Sequence, residues 1–454
     1  MKPLLIATLT LATLISCSNQ KQQSPETAYP MFWTWMDYNP SMNFDSVCAV
    51  MQETGIDGVM LNAATPDDYR KAVPVARKYG IEVYAWLWTM NLEHDRDRIV
   101  KEHPDWLSVN RLGQSLADTT AYVGYYKFLC PALPEVRQYI KENVREYCKV
   151  KGLGGIAIDY HRFVDVILPS TLWAKYDVVQ DREYPEWDYG YHPAMLAKFK
   201  ELHGYDPREQ DDPSADEQWL QFRCDQITEV ANEIAEVVHS FGKVMAASPF
   251  PTPRMSRQMV RQDWGKWNLD IVFPMVYHNF YTEDPSFISD CTIENARDKN
   301  PQTTLYCGLM ARDTTAMIDY MDEALNNGAE GIAIFTVDAL RSPEVRRLFR
   351  AYTDRARERR AEAAFIPAFA AGAGGVNTNP FEKEGVMRLV RQKMQEYAES
   401  DNLQLSEYTL VEEYGAAKHY QVTEANTRIT FDVTFYFYGG ILSGWIVSPK
   451  PVNH

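Results

Sequence analysis

Residues 134–160 read PEVRQYIKENVREYCKVKGLGGIAIDY and contain one structural unit that recurs along most of the chain. Apolar residues return every three to four positions across 134–150, which predicts an amphipathic helix. After a Gly-containing turn, residues 154–160 form an apolar run that predicts a strand covered on both faces. A helix followed by such a strand is typical of a parallel sheet surrounded by helices.

The same alternation of apolar strand and amphipathic helix runs from residue 30 to about residue 350. Turn signals such as Tyr79-Gly80 and Phe241-Gly242 close helices directly before the next strand. Eight strands in strict alternation are the number that closes a (β/α)8 TIM barrel. An open doubly wound sheet would need fewer strands and usually a Gly-rich first turn, which is absent. The predicted strands are 30–37, 57–62, 82–88, 154–160, 243–248, 270–277, 303–310 and 331–337.

The predicted α/β barrel occupies residues 30–363, and a small α+β domain of unknown role follows it. Residues 364–380 (AFIPAFAAGAGGVNTNP) are small, Gly-rich and uncharged, which indicates a linker. Residues 381–454 begin with a predicted helix near 381–399 and continue with four segments of alternating polarity. This second domain could bind glycan, pack on the barrel, recruit a partner or act as a spacer.

The first residues predict an export signal. Residues 1–17 begin with Met1-Lys2, continue with an apolar stretch and end in Leu-Ile-Ser-Cys, which resembles a bacterial lipobox. We expect Cys17 to be lipidated after cleavage, with residues 18–29 as a flexible tether. An ordinary signal peptide with an incidental cysteine is the alternative. The predicted location is the bacterial cell envelope, on either the periplasmic face or the cell surface.

Composition restricts the partners. The net charge of −16 would repel nucleic acid and anionic lipid, so the membrane is expected to be reached only through the lipid anchor. The aromatic content of 13% suits both a packed core and a site that stacks on sugars. No cofactor or metal is expected, because six further cysteines are scattered and predict buried free thiols. The oligomeric state is not indicated. These cysteines are Cys48, Cys130, Cys148, Cys224, Cys291 and Cys307.

The strongest candidate for chemistry is Asp159, at the end of the fourth predicted strand. Barrel enzymes carry their active sites at the carboxyl ends of the strands. A carboxylate there can stabilise an oxocarbenium-like transition state or attack it as a nucleophile. His161 or Arg162 could keep Asp159 ionised and contact substrate. Alternatively, Asp159 caps the following loop or pairs with Arg162 for structure alone.

Other strand ends offer candidates for substrate binding. The pairs Trp33/Trp35 and Trp86/Trp88 each have a spacing of two, which puts both side chains on one face of a strand. In each pair one ring can fill the barrel while the other lines the cleft, although core packing is the alternative for any single tryptophan. The predicted substrate-binding residues are Trp33, Trp35, Asn62, Trp88, His161, Arg162, Tyr277, His278 and Arg312.

Most glycoside hydrolases need a second carboxyl group, and no strand here ends in an obvious Glu. We predict Asp338 as the second catalytic residue. Two long connections, 89–133 and 160–214, would wall the cleft and could supply another acid. A substrate-assisted route, with an N-acetyl group oriented by Tyr277, would remove the requirement. The other candidates for the second acid are Asp37, Asp165, Asp313, Glu186 and Asp188.

Six stretches of the predicted barrel are distinctive in their order and spacing: YAWLW (84–88), HPDWL (103–107), PALPEVRQY (131–139), GIAIDYHRF (155–163), ASPFP (247–251) and FPMVY (273–277). Through these stretches, residues 30–345 resemble the bacterial glycosyl hydrolase-like barrel family once classed as a domain of unknown function, which is distantly related to α-amylase-type barrels. The chain departs from that pattern at Cys130, where Asn is expected, and at Tyr160, where many relatives carry a second acid. Strand five ends in Ser248, so the strand-five Glu of the amylase type has no counterpart.

The resemblance implies a hydrolase of sugar polymers, with peptidoglycan glycan strands as one substrate class, and it transfers a catalytic carboxylate to Asp159. The sequence therefore predicts a glycoside hydrolase that acts on a poly- or oligosaccharide. The alternative is a non-catalytic glycan-binding envelope lipoprotein that keeps the aromatic cleft. The absence of an evident second carboxylate motivates this alternative.

Overall fold

A computed structural model describes residue 29, residues 31–282, 284–310, 316–340 and 342–364, and four strands between residues 405 and 449. Eight parallel strands close into a barrel in sequence order, with β8 hydrogen-bonded to β1. The predicted (β/α)8 barrel is thus confirmed. Its strands are β1 Phe32–Asp37, β2 Gly58–Asn62, β3 Glu82–Trp88, β4 Gly155–Asp159, β5 Val244–Ala247, β6 Ile271–Val272, β7 Thr304–Met310 and β8 Gly331–Phe335.

Helices surround the barrel, and local capping chemistry sets where several of them begin. The Thr65 side chain accepts a hydrogen bond from the backbone N–H of Asp68, and Pro66 occupies the first turn, where no intrahelical N–H bond is needed. The helices are α1 Phe44–Thr54, α2 Pro66–Lys78, α3 Arg96–Glu102, α4 Pro134–Cys148, α5 Ser170–Tyr176, α6 Pro193–His203, α7 Glu217–Ser240, α8 Pro253–Val260, α9 His278–Tyr281, α10 Ser286–Asp298, α11 Met317–Asn326 and α12 Pro343–Ala364.

Trp33 fills the interior of the barrel. Its side chain is fully buried and its ring lies 4.4 Å from the Tyr84 ring and 5.6 Å from the Phe273 ring, between centroids. A Cβ atom on Gly58 of the neighbouring strand would lie 2.6 Å from the Trp33 ring, so only glycine leaves room for it. The structure therefore corrects the substrate-binding role predicted for Trp33, which belongs to the core.

The connections after β3 and β4 form the two walls above one side of the barrel. Short β-bridges join them: Asn110 pairs with Tyr189 across the walls, while Asn91 pairs with Phe128 and Leu107 with Leu129 within the first wall. The backbone groups of these long loops thus find partners with one another. The walls are held to the barrel and to each other.

Asp188 anchors the second wall as the centre of a buried ion cluster. Its carboxylate is fully buried and contacts Arg223, Arg261 and Arg111, the last two at 3.3 and 3.2 Å. These arginines keep the pKa of Asp188 below its usual value although burial opposes this. Asp188, considered above as a possible second acid, is therefore an anchor.

The C-terminal part of the chain contains a four-stranded antiparallel sheet in the order β12-β11-β10-β9. Its four strands lie where four alternating segments were predicted. The predicted helix 381–399 and most of the predicted linker lie outside the described residues, and the role of this part stays a prediction. No helix among the described residues is both long and apolar enough to cross a membrane. The strands are β9 Leu405–Tyr414, β10 Ala417–Glu424, β11 Thr430–Tyr438 and β12 Ile441–Pro449.

Replacing Asp188 with asparagine should destabilise the barrel strongly. The amide keeps the shape but leaves the buried guanidinium of Arg223 without a counter-charge, which costs about 3–5 kcal/mol. Urea denaturation followed by tryptophan fluorescence measures the free energy of unfolding. Asp211→Asn, on an exposed aspartate in the following loop, is the control and should change stability by less than about 0.5 kcal/mol. Equal stabilities for the two variants would contradict the anchoring role.

Candidate active site

Asp159 occupies the carboxyl end of β4, at the face where barrel enzymes place their chemistry. Its side chain is only 6% exposed. The N–H of the Trp86 ring donates to Oδ2 of Asp159 at 2.9 Å, and the backbone N–H of Tyr160 donates to Oδ1 at 2.6 Å. Both carboxylate oxygens are therefore held in fixed positions by donors that favour the ionised form.

Tyr160 adopts a left-handed backbone conformation with φ of +46°. Such a conformation is unusual for a residue other than glycine and costs about 1–3 kcal/mol. Residues in this state cluster at functional sites, where the surrounding structure holds them. Here the strained residue is the one whose backbone N–H contacts the Asp159 carboxylate.

The pKa of Asp159 is raised to about 6, chiefly because burial penalises the charged form. The hydrogen bonds from Tyr160 and Trp86 and the positive charge of Arg162 lower it in part. Asp159 is thus mostly ionised at pH 7 and becomes protonated as the pH falls below about 6.

A second carboxyl group, that of the partly buried Glu93, lies on the loop after β3 and is not among the acids predicted from the sequence. The side-chain amide of Asn62 donates to both Glu93 oxygens at 3.1 Å, and the His94 ring nitrogen Nε2 lies 3.5 Å from Oε2. Burial raises the pKa of Glu93, the Asn62 hydrogen bond and the charge of His94 lower it, and the negative charges of Asp37 and Asp159 raise it again. The net result is a raised pKa, with burial as the largest cause.

Glu93 was missed because it lies five residues beyond the end of its strand. The acids at the predicted strand ends are all aspartates, so the rule that barrel enzymes place catalytic groups at strand ends does not identify Glu93. The available signal was Asn62, a polar residue at the end of β2 that needs a partner once it is buried. Asn62 contacts Glu93, so its side-chain amide is already engaged, and its predicted contact with substrate stays a prediction.

Two further acids lie at the same mouth. Asp37 ends β1 and is exposed, and Asp338 is exposed in a short 3-10 helix, Val337–Leu340, after β8. The pKa of Asp37 is raised by partial burial and by the charge of Asp338, while His94 lowers it. Asp338, the predicted second catalytic residue, thus lies near Asp37, whose negative charge also raises the pKa of Glu93.

Aromatic rings form the floor around Asp159. The Trp35 ring lies 6.5 Å from Tyr277 and 6.0 Å from Phe335, and Trp86 lies 6.4 Å from Phe335. The Trp35 ring N–H donates to the hydroxyl of Ser248 at 3.2 Å. Trp35 is buried, so it supports this floor beneath the half-buried ring of Phe335.

Tyr277 carries a buried hydroxyl group that has no hydrogen-bond partner among the described residues. Burial raises the pKa of this hydroxyl, and the negative charge of Asp159 raises it further. A neutral O–H group thus lies within electrostatic reach of the carboxylate. Buried polar groups without partners are rare and often serve a function.

His161 and Arg162 have structural roles, which corrects the predicted contacts with substrate. The two ring nitrogens of His161 bond to the Thr89 hydroxyl at 2.8 Å and the Ile227 carbonyl at 2.9 Å. Burial lowers the pKa of His161 to about 4, so the ring is neutral at pH 7. Arg162 is buried, and its guanidinium pairs with Asp165 at 3.0 Å.

Asp165 also accepts hydrogen bonds from the hydroxyl groups of Tyr122 and Tyr126, at 2.6 and 3.0 Å. This aspartate, considered above as a second acid, is therefore fully occupied. Arg162 therefore pairs with Asp165 and not with Asp159, so the alternative in which Asp159 pairs with Arg162 for structure alone is wrong. The positive charge of Arg162 still lowers the pKa of Asp159, as predicted, without a direct bond between them.

Trp88 is half-buried and belongs to an aromatic platform with Tyr125 and Tyr160. The centroid of Trp88 lies 4.2 Å from Tyr160 and 5.8 Å from Tyr125, and the two tyrosine hydroxyls are 3.3 Å apart. The Trp88 ring N–H has no hydrogen-bond partner among the described residues. This platform begins directly beside Asp159, because Trp88 and Asp159 are register partners.

The other predicted residues are placed as follows. His278 is buried, and its ring lies 4.7 Å from the Tyr320 ring on α11. Arg312, predicted to bind substrate, and Asp313 lie outside the described residues.

Among the residues that the structure describes, no three His, Cys, Asp or Glu side chains are grouped to hold a metal ion. All six described cysteines are buried free thiols.

Comparison with solved structures finds glycosidase barrels at low identity. The GH36 α-galactosidase AgaA from Geobacillus stearothermophilus is 9% identical with a TM-score of 0.42, covering 90% of this chain and 47% of its own. The GH20 exo-β-N-acetylglucosaminidase from Vibrio harveyi is 10% identical with a TM-score of 0.40, covering 71% of this chain and 54% of its own. The chain therefore spans about half the length of these proteins.

No curated protein sequence matches the chain. The sequence model of the family described as Glycosyl hydrolase-like 10 matches residues 44–323, from the start of α1 into α11. The matched region contains β2 to β7, both walls and the residues Asp159 and Glu93. Since this match covers more than half of the sequence, the chain belongs to the Glycosyl hydrolase-like 10 family.

Proposed function

We propose that this protein is a glycoside hydrolase that cleaves a poly- or oligosaccharide, such as peptidoglycan glycan, with Asp159 and Glu93 as its two carboxyl groups. The observation that carries the proposal is a buried Asp159 and a partly buried Glu93 at the barrel mouth, each held by hydrogen bonds and each with a raised pKa. Most glycoside hydrolases use a pair of carboxyl groups on either side of the scissile bond.

Asp159 acts as the ionised member of the pair. Its two oxygens accept N–H bonds from Trp86 and Tyr160, so the carboxylate is oriented before substrate binds. In this position it attacks the anomeric carbon or stabilises the positive charge that develops there. The positive charge of Arg162 supports ionisation from a distance, since its guanidinium is occupied by Asp165.

Glu93 acts as the proton donor. Its raised pKa keeps a larger protonated fraction than an ordinary glutamate has, and Asn62 fixes its orientation. As the glycosidic C–O bond breaks, the electron pair moves to the leaving oxygen, which takes the proton from Glu93. Glu93 borders a cavity of about 200 Å³, and its side chain is 24% exposed, so it can regain a proton from solvent.

The predicted partner Asp338 is the weaker candidate for this role. It is exposed, whereas Glu93 is partly buried and is oriented by the side-chain amide of Asn62. We keep a contact of Asp338 with substrate hydroxyls as part of the proposal. The hydroxyl of Tyr277 can donate to the Asp159 carboxylate or to an N-acetyl oxygen of the sugar, which a substrate-assisted route would use.

The proposal includes a location in the cell envelope, through a lipid on Cys17. The motif Leu-Ile-Ser-Cys at 14–17 and the polar tether 18–29 support it. A single lipid chain binds membranes weakly, and several chains on one cysteine would anchor the protein stably. The glycan substrate would then be met outside the cytoplasm.

Substitutions at the two carboxyl groups should separate their roles. Asp159→Asn should lower kcat by at least about 10³-fold on every glycan, because the charge at the anomeric carbon is lost. Glu93→Gln should lower kcat about 10²–10⁴-fold on natural glycans. It should lose little activity on 2,4-dinitrophenyl glycosides, whose leaving group needs no proton. Release of reducing ends and of dinitrophenolate measures the two rates.

Glu201→Gln, on an exposed glutamate of α6, is the matched control and should keep full activity. Asp338→Asn should reduce activity less than Glu93→Gln does. Full activity of folded Asp159→Asn would remove the central assignment. Binding of glycans without turnover of any substrate would favour the non-catalytic alternative.

The pH dependence of kcat/KM should follow the protonation of Asp159. We expect kcat/KM to fall about tenfold per pH unit below pH 6, because Asp159 then takes up a proton and loses its charge. Trp86→Phe removes an N–H donor to the carboxylate, so the pKa of Asp159 should rise and the acidic limb should move to higher pH. Trp106→Phe, on a ring that packs against His103 and Tyr139 and makes no bond to Asp159, should leave the acidic limb unchanged. An identical acidic limb in Trp86→Phe would show that another group controls it.

Cys17→Ser should release the protein from the membrane. The lipid is attached to the cysteine sulfur, so serine cannot carry it, and the full-length variant should move from the membrane fraction to the soluble fraction. Fractionation and mass spectrometry of the mature N-terminus measure the change. Ser16→Ala, which keeps the cysteine, is the control. A lipid-free, membrane-bound wild-type protein would contradict the anchor.

A further inference from the structure

A surface groove of about 520 Å³ lies next to the proposed active site, between α3 and the loop that carries Tyr125. Three cationic side chains line it, Arg96 and Lys101 from α3 and Lys127 from the loop, together with Asp97. The whole chain carries a net charge of −16, so a groove with three cations stands out against its surroundings.

These positive charges are poorly compensated within the described residues. Asp97 is 3.5 Å from Arg96, but its side chain is 97% exposed, so the ion pair contributes little. Lys101 is exposed and makes no ion pair in the described part of the chain. Lys127 donates to the carbonyls of Leu116 and Thr119, neither of which carries a charge.

Lys127 and Arg96 line the same groove, so their like charges act on each other. Burial lowers the pKa of Lys127, and the like charge of Arg96 lowers it further, while Asp118 opposes this. The backbone N–H of Lys127 donates to the buried side chain of Asn91 at 2.8 Å. The wall that begins after β3 thus keeps two like charges together, which costs energy unless an anion binds between them.

The groove is continuous with the active site through the aromatic platform. Tyr125 lines the groove and is 37% exposed, while its ring also lies 5.8 Å from Trp88. The Tyr125 hydroxyl lies 3.3 Å from that of Tyr160, the residue after Asp159. The aromatic side chains of Tyr160, Trp88 and Tyr125 therefore connect the position of Asp159 with the cationic groove.

We propose that this groove binds the anionic group, a carboxylate or a sulfate, of a sugar unit near the one that is cleaved, so that the preferred substrate is an acidic glycan. This inference rests on the proposed function and adds the substrate class. Apolar sugar faces contact Trp88 and Tyr125, and the anion lies among Arg96, Lys101 and Lys127, the three cations that line the groove. The Arg96 guanidinium can bind a carboxylate or sulfate through two parallel N–H bonds.

Binding to the full-length Asp159→Asn variant tests the inference without turnover. Titration calorimetry would compare tetragalacturonate and peptide-free peptidoglycan strands with their carboxyl-reduced forms, and a chondroitin sulfate tetrasaccharide with its desulfated form. We expect at least one acidic member to bind at least tenfold more tightly than its neutral form. The pair that shows this difference identifies the anion as carboxylate or sulfate. The preference should weaken as the salt concentration rises.

Substitutions of the groove cations test whether these residues cause the preference for acidic glycans. Arg96→Gln and Lys101→Gln, added to Asp159→Asn, should each reduce binding of the acidic glycan about threefold to tenfold and leave the neutral form unchanged. Their combination should abolish the preference. Lys151→Gln removes an exposed cation at the opposite end of the barrel, between α4 and β4, and is the charge-matched control.

Equal binding of acidic and neutral forms, no binding of any acidic probe, or a preference that survives the double substitution would each overturn the inference. Efficient hydrolysis of neutral glycans with the same kcat/KM as acidic ones would overturn it while the proposed function stands. A charge preference that depends on Arg96 and Lys101, without hydrolysis of any probe by the wild-type protein, would support the groove and contradict the proposed function.

Discussion

The burial of one carboxylate at the end of β4 is the constraint around which the site is arranged. An ionised group with so little exposure must be compensated by hydrogen bonds or by nearby charge. Trp86 reaches across from β3 with its ring N–H, and the backbone turns at Tyr160 so that an N–H faces the carboxylate. These donors only partly offset burial, which leaves Asp159 with a pKa near neutrality. A group that titrates near the working pH is well suited to catalysis and poorly suited to a purely structural role.

Direct contact with an arginine distinguishes the buried acids that have structural roles from the acids of the candidate site. Asp188 and Asp165 are as deeply buried as Asp159, but arginines contact them directly, and they hold the second wall in place. Asp159 has no such direct partner, and Glu93 is held by an amide and by the imidazole of His94. Acids that lack a strong cation beside them keep raised pKa values and can exchange protons. This difference selects the candidate pair from among the acids of the loops.

The barrel and the position of Asp159 could be predicted from the sequence, because apolar strands of regular spacing leave few other architectures. Glu93 could not, since its place depends on the path of a long loop that no local pattern describes. The roles of Trp33, His161 and Arg162 also depended on packing. Whether a ring points into the barrel or the cleft is set by neighbours such as Gly58, and the bonds of His161 come from Thr89 and Ile227. Residue type and spacing contain no information about such partners.

The connection after β3 carries both Glu93 and, only three residues later, the start of α3 with its cationic groove. The proposed proton donor and the proposed determinants of substrate charge thus lie on one contiguous segment between two barrel strands. Replacing this segment would alter both proposed roles together, while Asp159 on β4 remained in place. The barrel strands themselves would keep their packing, because the segment lies outside them.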